Sequence, residues 1–163
     1  MLNQASLDSF FYFITQFGGF FIVGLACFLV ILFLWWRNSD LIKYFIIAVA
    51  SNEVLVYFFK KIIDKPRPFG AVVYGEHGGS MPSGHAAISI LLYGYVCYLI
   101  VKFYPKTEWR SLLGSLLLVL ILLIGFSRLY LNVHYFSDVI AGYLLGGSTL
   151  FYLVRISERK GRK

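Results

Sequence analysis

The stretch Ser127-Arg-Leu-Tyr-Leu-Asn-Val-His-Tyr-Phe-Ser-Asp138 separates two long apolar runs. Arg128, His134 and Asp138 therefore lie at a membrane edge, where charged groups are costly and need a reason. If Asp138 opens the helix that follows, His134 lies one turn before it, and side chains at i and i+4 meet on one face. The carboxylate can then hold one ring nitrogen of His134 and leave the other basic. This arrangement suits nucleophilic catalysis by histidine.

The composition indicates an integral membrane protein. Of the 163 residues, 59% are hydrophobic and 14% are charged, and the mean hydropathy is +0.74. Soluble domains average about 25% charged residues. We therefore expect an all-α fold, an integral membrane helical bundle in one domain. The net charge is +7, but the basic residues fall in short clusters between apolar runs. They indicate topology signals and an anion site rather than a nucleic-acid surface.

Five apolar runs are long enough to cross a bilayer: residues 18–36, 42–59, 84–102, 111–126 and 138–154. Residues 1–17 are aromatic and mildly amphipathic but too polar and too short, since spanning takes about 20 apolar residues. We expect them to form an interfacial N-terminal helix. Residues 18–154 then form the membrane domain, and residues 155–163 form a basic cytoplasmic tail.

The basic residues are divided unequally between the two sides of these spans. Most lie on the side of the tail, which places that side in the cytoplasm and the N-terminus outside. The outer side nevertheless carries five of them: Lys60, Lys61, Lys65, Arg67 and Arg128. Cations on that side indicate a bound anion. Lys61 and Lys65 lie outside the motifs described below, and we expect them to face solvent or lipid headgroups.

Three stretches at span ends on the outer side offer groups that bind phosphate. Lys60 provides a point charge, and Arg67 and Arg128 each provide a planar fork for two phosphate oxygens. Ser83 offers a hydroxyl, and Gly84 lets the backbone approach a ligand closely. If a helix starts at this point, the amides of residues 83–85 face the anion, and the helix dipole favours it.

Two histidines complete the predicted site. We expect His134 to attack phosphorus in line and form a phosphohistidine, while Asp138 holds its tautomer. His85 is suited to protonate the departing lipid oxygen and then to activate water. The cations and backbone donors would stabilise the equatorial oxygens. A metal site of His85, His134 and Asp138 is conceivable by ligand type, but the surrounding cations would repel a metal ion. We therefore predict no metal and no cofactor.

Together the three stretches resemble the three-part signature of the type-2 phosphatidic acid phosphatase superfamily, in its order and with its spacing. The matching residues are Lys60, Arg67 and Pro68; Pro82, Ser83, Gly84 and His85; and Ser127, Arg128, His134 and Asp138. The resemblance covers about residues 18–153. It implies a metal-independent membrane phosphatase acting on lipid phosphates or polyprenyl diphosphates. Membrane members commonly have six spans, whereas this sequence has five, and we expect residues 1–17 to replace the first.

The substrate that we expect is undecaprenyl diphosphate, in a bacterial cytoplasmic membrane with the site facing the exterior. Phosphatidylglycerol phosphate, phosphatidic acid and phosphorylated lipid A are alternatives. A lipid phosphotransferase and a non-catalytic binder or transporter of anionic lipid also stay open. The partners we expect are the lipid substrate and membrane lipids, with no nucleic acid. The roles of Glu53 in mid-span and of Glu76 and His77 in the loop are left open, as is the oligomeric state.

Overall fold

The computed structural model describes residues 4–37, 39–69, 71–75, 77–104 and 108–160, leaving aside the side chains of residues 72 and 73. These residues form six α-helices and one short 3-10 helix, Ala71–Tyr74. The α-helices are α1 (Gln4–Gln16), α2 (Phe20–Trp36), α3 (Leu41–Ile63), α4 (Gly84–Phe103), α5 (Trp109–Tyr130) and α6 (Phe136–Lys160). No strand occurs within the described ranges. The predicted all-α class is confirmed.

Five stretches are long and apolar enough to cross a membrane, which confirms the predicted bundle. The first of them, Gln4–Trp36, joins α1 and α2 across the corner at Gly18 and Gly19. The other four correspond to α3 to α6, and three of these run several residues beyond the predicted apolar limits. The basic tail continues α6 as far as Lys160, and residues 161–163 lie outside the described part.

Helix α1 packs against the C-terminal end of α5. The ring centroids of Phe11 and Tyr130 are 4.3 Å apart, and the Tyr130 hydroxyl donates a hydrogen bond to Asp8 at 2.9 Å. Phe13 on the other face is exposed. One buried and one exposed aromatic face is typical of a helix at an interface. That residues 1–17 lie at the membrane surface stays a prediction.

Helix α4 lies at the centre of the bundle, with α2, α3, α5 and α6 packed around it. It contacts α6 most closely because Gly142 and Gly146 present no side chain there. A Cβ atom at either glycine would collide with the α4 backbone. Small residues four apart allow such close helix packing in membranes. This contact fixes the start of α4 beside the start of α6.

The polar residues in the middle of α3 face two ways. Asn52 is fully buried, and its amide nitrogen donates to the Glu53 carboxylate at 3.2 Å. Glu53 itself is exposed on the bundle surface. Both residues lie ten or more positions from the C-terminal end of α3, so they take no part in the site at that end.

Candidate active site

The three predicted stretches meet at one end of the bundle. The Ser83 amide at the start of α4 donates to the Asp138 carbonyl at 2.9 Å. Arg67, beyond the end of α3, donates from Nη1 to the carbonyl of Val133 at 3.1 Å. The His134 amide donates to the Arg128 carbonyl at 3.2 Å, which closes the turn between α5 and α6. Hydrogen bonds to backbone carbonyls therefore join all three stretches.

The two ring nitrogens of His134 face different partners. Nδ1 lies 3.6 Å from Asp138 Oδ2, and Nε2 lies 3.3 Å from Nη1 of Arg67. Asp138 belongs to the first turn of α6, and His134 precedes that helix by two residues. A separation of 3.6 Å is ion-pair distance and is longer than a hydrogen bond. The pairing predicted from the spacing is present, but Asp138 Oδ2 accepts its hydrogen bond from the Tyr135 amide at 2.9 Å.

The cations at the end of α3 hold the loop that leads to α4. Lys60 Nζ donates to the carbonyl of Gly79 at 2.8 Å. Arg67 Nε donates to the carbonyl of Gly78 at 3.1 Å, and Nη2 reaches the His77 carbonyl at 3.4 Å. Gly78 has a φ of +73°, which favours glycine at that position. The side chain of His77 is exposed, and Glu76 lies outside the described residues.

Ser83 precedes the first residue of α4 and is fully buried. Its hydroxyl makes no hydrogen bond within the described part of the chain and does not cap the helix. A buried hydroxyl without a partner is costly, which makes Ser83 a candidate contact for a ligand. The Ser83 amide already bonds to Asp138, contrary to the prediction that it faces the anion. The amides of the first turn, from Gly84 onward, have no helical acceptor.

Gly84 was predicted to give room for a close backbone approach. A Cβ atom at this position would lie 3.6 Å from Val56 Cγ1, which is ordinary contact. Protein packing therefore does not require glycine at this position, and its predicted role towards a ligand stays a prediction.

His85 is the second residue of α4, half-buried against the corner between α1 and α2. A Cβ atom at Gly18 would lie only 3.0 Å from His85 Cδ2 and 2.9 Å from Ile124 Cγ2. The corner therefore needs glycine to leave room for the His85 ring. Gly18 was missed by sequence reasoning, because it lies far from the three motifs along the chain.

Arg128 near the end of α5 is buried, with 3% of its surface exposed. Its Nη1 donates to the hydroxyl of Thr15 on α1 at 2.7 Å. Thr15 is also buried. The N-terminal helix therefore supplies a wall of the site and a partner for one of its cations. The amphipathic pattern of residues 1–17 does not predict the contact between Thr15 and Arg128.

The prediction that Lys65 faces solvent or headgroups is wrong. Its Nζ lies 2.6 Å from Asp138 Oδ1 and 2.8 Å from Ser137 Oγ. Lys65 and Arg67 are two residues apart in a non-helical segment, and alternate residues of an extended chain face the same side. That spacing could have placed Lys65 beside Arg67 in the site. Lys61 is exposed, as predicted.

Comparisons with known proteins identify the family of the chain. The family model of the PAP2 superfamily matches residues 41–162. Phosphatidylglycerophosphatase B of Bacillus subtilis is 31% identical over 71% of this chain and 57% of its own length. The undecaprenyl-diphosphatase of Sulfolobus acidocaldarius is 33% identical over 96% of this chain and 74% of its own length. The chain thus spans little more than half of the first of these relatives.

Two solved structures share the fold. The PAP2-type phosphatidylglycerolphosphate phosphatase from Bacillus subtilis superposes with a TM-score of 0.85 at 26% identity, covering 97% of this chain and 80% of that one. Aquifex aeolicus LpxE superposes with a TM-score of 0.70 at 25% identity, covering 94% of this chain and 88% of that one. Both matches cover nearly the whole of this chain. The chain is a multi-pass integral membrane protein that belongs to the PAP2 superfamily.

Proposed function

We propose that this protein is a membrane phosphatase that removes the terminal phosphate of a lipid through a phosphohistidine at His134. The observation that carries the proposal is the orientation of that ring. Nδ1 faces the Asp138 carboxylate, and Nε2 faces the Arg67 guanidinium. A phosphate oxygen bound to Arg67 would bring phosphorus next to the nitrogen that attacks it. Relatives named as phosphatases and diphosphatases support the same activity.

The reaction uses two half-steps. In the first, the Nε2 lone pair forms a bond to phosphorus while the bond to the lipid oxygen breaks, and His85 donates a proton to that oxygen. In the second, His85 takes a proton from water as the water oxygen displaces His134. Asp138 keeps the proton on Nδ1 and balances the charge that develops on the ring. The products are inorganic phosphate and the dephosphorylated lipid.

The phosphate oxygens would be held by groups already in place around the two histidines. Arg67 and Arg128 offer planar donors, which suit phosphate geometry. Ser83 offers the buried hydroxyl that makes no other bond in the described part of the chain. The amides at the start of α4 add backbone donors at a helix N-terminus. Such fixed donors stabilise the transition state because they need not reorganise as charge develops.

An apolar groove of about 670 Å³ leads away from this site between α3 and α6. It begins at Ile63, Met81 and Pro82 and reaches Tyr44 and Ile156 at the opposite end. Along α3 this is 19 residues, or about 28 Å at the helical rise. The hydrocarbon core of a bilayer is about 30 Å thick. An acyl chain lies within one leaflet, so it would fill only about half of the length of the groove.

The groove therefore favours a lipid tail longer than an ordinary acyl chain. A polyprenyl diphosphate has such a tail, and undecaprenyl diphosphate in a bacterial cytoplasmic membrane is the substrate that we propose. Relatives named as undecaprenyl-diphosphatase and dolichyldiphosphatase support this class. Others named for phosphatidylglycerophosphate and lipid A support the shorter-tailed alternatives.

A phosphate-release panel tests the proposal. Purified protein would be given a polyprenyl diphosphate, phosphatidylglycerol phosphate, phosphatidic acid and lipid A phosphate, with His134→Ala as the inactive variant. His77→Ala is the matched control, because that side chain is exposed in the loop. We expect release to be fastest from the polyprenyl diphosphate, abolished in His134→Ala, retained in His77→Ala and insensitive to EDTA.

Phosphate appearing on an added lipid alcohol instead of in solution would indicate a phosphotransferase, and no release from any lipid would indicate a binder or transporter.

The side of the membrane on which the site lies is also a proposal, based on the distribution of basic residues. Labelling with a membrane-impermeant thiol reagent tests it, with Phe69→Cys as the target because this loop residue is fully exposed. Cys27 and Cys97 would first be replaced by Ser. We expect labelling of intact cells, and labelling only after lysis would contradict the proposed orientation.

A further inference from the structure

Lys65 contacts the acidic partner of the proposed nucleophile. Its Nζ lies 2.6 Å from Asp138 Oδ1 and 2.8 Å from Ser137 Oγ. The same Nζ lies 4.4 Å from the centre of the Tyr135 ring. The Asp138 side chain is fully buried, whereas 28% of the Lys65 side chain is exposed. A buried carboxylate in contact with a cation is a strong interaction with defined geometry.

The two oxygens of Asp138 have separate tasks. Oδ1 accepts hydrogen bonds from Lys65 and from Ser137. Oδ2 accepts from the Tyr135 amide and lies 3.6 Å from His134 Nδ1. Lys65 therefore fixes the carboxylate from the side opposite to His134, and this leaves Oδ2 directed at the imidazole.

The main chain of Lys65 is fixed as firmly as its side chain. Its carbonyl accepts a hydrogen bond from the Ser80 amide at 2.8 Å, and the next carbonyl, of Pro66, accepts from the Ser80 hydroxyl at 3.1 Å. Ser80 is fully buried and lies three residues before Ser83. The lysine thus connects the end of α3 to the loop before α4 and to the start of α6.

We propose that Lys65 is a positioning residue that orients Asp138 and weakens the stabilisation that Asp138 gives to the protonated ring of His134. This rests on the proposed function of the site. A lone carboxylate beside an imidazole stabilises the protonated ring, which cannot attack phosphorus. A carboxylate that is already paired with Lys65 stabilises the protonated ring less. The pairing therefore keeps more of His134 in its neutral, nucleophilic form, while Asp138 still sets the tautomer.

Several other groups act on His134 from the surrounding elements. Arg67 approaches Nε2 from the segment after α3. His85 lies on the first turn of α4, and Arg128 lies at the end of α5 with its carbonyl bound to the His134 amide. These groups remain unchanged when Lys65 is replaced, so a comparison of variants isolates the contribution of its charge.

The test measures the protonation of His134 directly as well as catalysis. The chain has three histidines, so NMR of protein labelled at histidine, with each ring assigned by substitution, follows the titration of His134 alone. The variant is Lys65→Met, and the matched control is Lys61→Met, which removes an equal charge from an exposed neighbour. Lys65→Gln keeps a donor for Asp138 and provides the same comparison if Lys65→Met does not fold.

We expect the titration midpoint of His134 to rise by about 0.5 pH unit or more in Lys65→Met. The acidic limb of the kcat/KM profile should move by the same amount, and activity at neutral pH should fall by up to about threefold for each 0.5 unit of the rise, because the neutral fraction of His134 falls by that factor. Lys65→Arg should restore the midpoint, and Lys61→Met should not change it. An unchanged midpoint in Lys65→Met, or an equal shift in Lys61→Met, would overturn the proposal. A shifted midpoint in a protein that cleaves no lipid phosphate would refute the phosphatase function but leave this coupling intact.

Discussion

Replacement of Gly142 by alanine tests whether close helix packing sets the geometry of the site. A Cβ atom at this position would overlap the Ser83 carbonyl oxygen and lie 3.0 Å from Ala86 Cβ and 3.3 Å from the Ala87 nitrogen. Two of these three neighbours are backbone atoms of α4, which cannot rotate away. To reach ordinary contact, α4 and α6 must separate by about 1 Å.

This separation acts on the hydrogen bond that joins the two catalytic helix ends. The bond from the Ser83 amide to the Asp138 carbonyl is 2.9 Å long, so a 1 Å shift would break it. Overpacking of this kind costs about 1–3 kcal/mol of stability, and misplacing catalytic groups by about 1 Å costs about 100-fold in rate. Both quantities are measurable on the purified protein, by thermal unfolding and by phosphate release from a lipid phosphate.

Gly147→Ala is the matched control, because a Cβ atom there would only meet Ile90 Cδ1 at 3.7 Å. We expect Gly147→Ala to retain activity and stability and Gly142→Ala to lose both. Equal activity and equal stability of the two variants would refute the inference that the close approach of α4 to α6 sets the geometry of the site.

Three further predictions address single contacts. Arg67→Lys keeps the charge but loses the planar fork that approaches His134, so kcat/KM for phosphate release should fall about 10- to 100-fold; a fall below twofold would refute this role. Thr15→Val removes the acceptor of the Arg128 hydrogen bond and should lower kcat/KM about tenfold, whereas Thr15→Ser should retain it. Ser148→Trp places a bulky ring in the groove, about 18 Å along α6 from its start. It should slow release from long-tailed lipids but not from short-tailed ones. Leu118→Trp, on an exposed face of α5 that does not line the groove, is its control.

The bundle and much of the site followed from the sequence because they depend on local patterns. Apolar runs of bilayer length predict spans whatever they pack against, and α2 to α6 confirm those predictions. His134 and Asp138 lie within one turn of chain, so their proximity follows from spacing alone. Arg67, by contrast, reaches His134 across 67 positions, and their meeting was indicated by the placement of both at span ends on one side of the membrane and by the resemblance of the motifs.

The contacts that were not predicted join segments that are distant in the chain and that show no motif or periodicity. Thr15 and Arg128 are 113 positions apart, and Gly18 meets His85 only because α1 folds back onto the bundle. Lys65 was predicted to face solvent or headgroups because it lies outside the three motifs, yet it pairs with a carboxylate that is fully buried. The contacts of Thr15 and Gly18 depend on how the helices pack, and no local periodicity predicts them, whereas the spacing of two between Lys65 and Arg67 could have placed Lys65 in the site.

The proposed mechanism requires that His134 becomes covalently phosphorylated during turnover. Rapid quenching at alkaline pH, which preserves phosphohistidine, followed by peptide mass spectrometry, tests it on the wild-type protein mixed with a lipid phosphate. We predict a phosphoryl group on His134 that appears within the first turnover and is absent from His134→Ala, which also releases no phosphate. Phosphate release by His134→Ala, or a phosphoryl group on a different residue of the wild-type protein, would contradict the account.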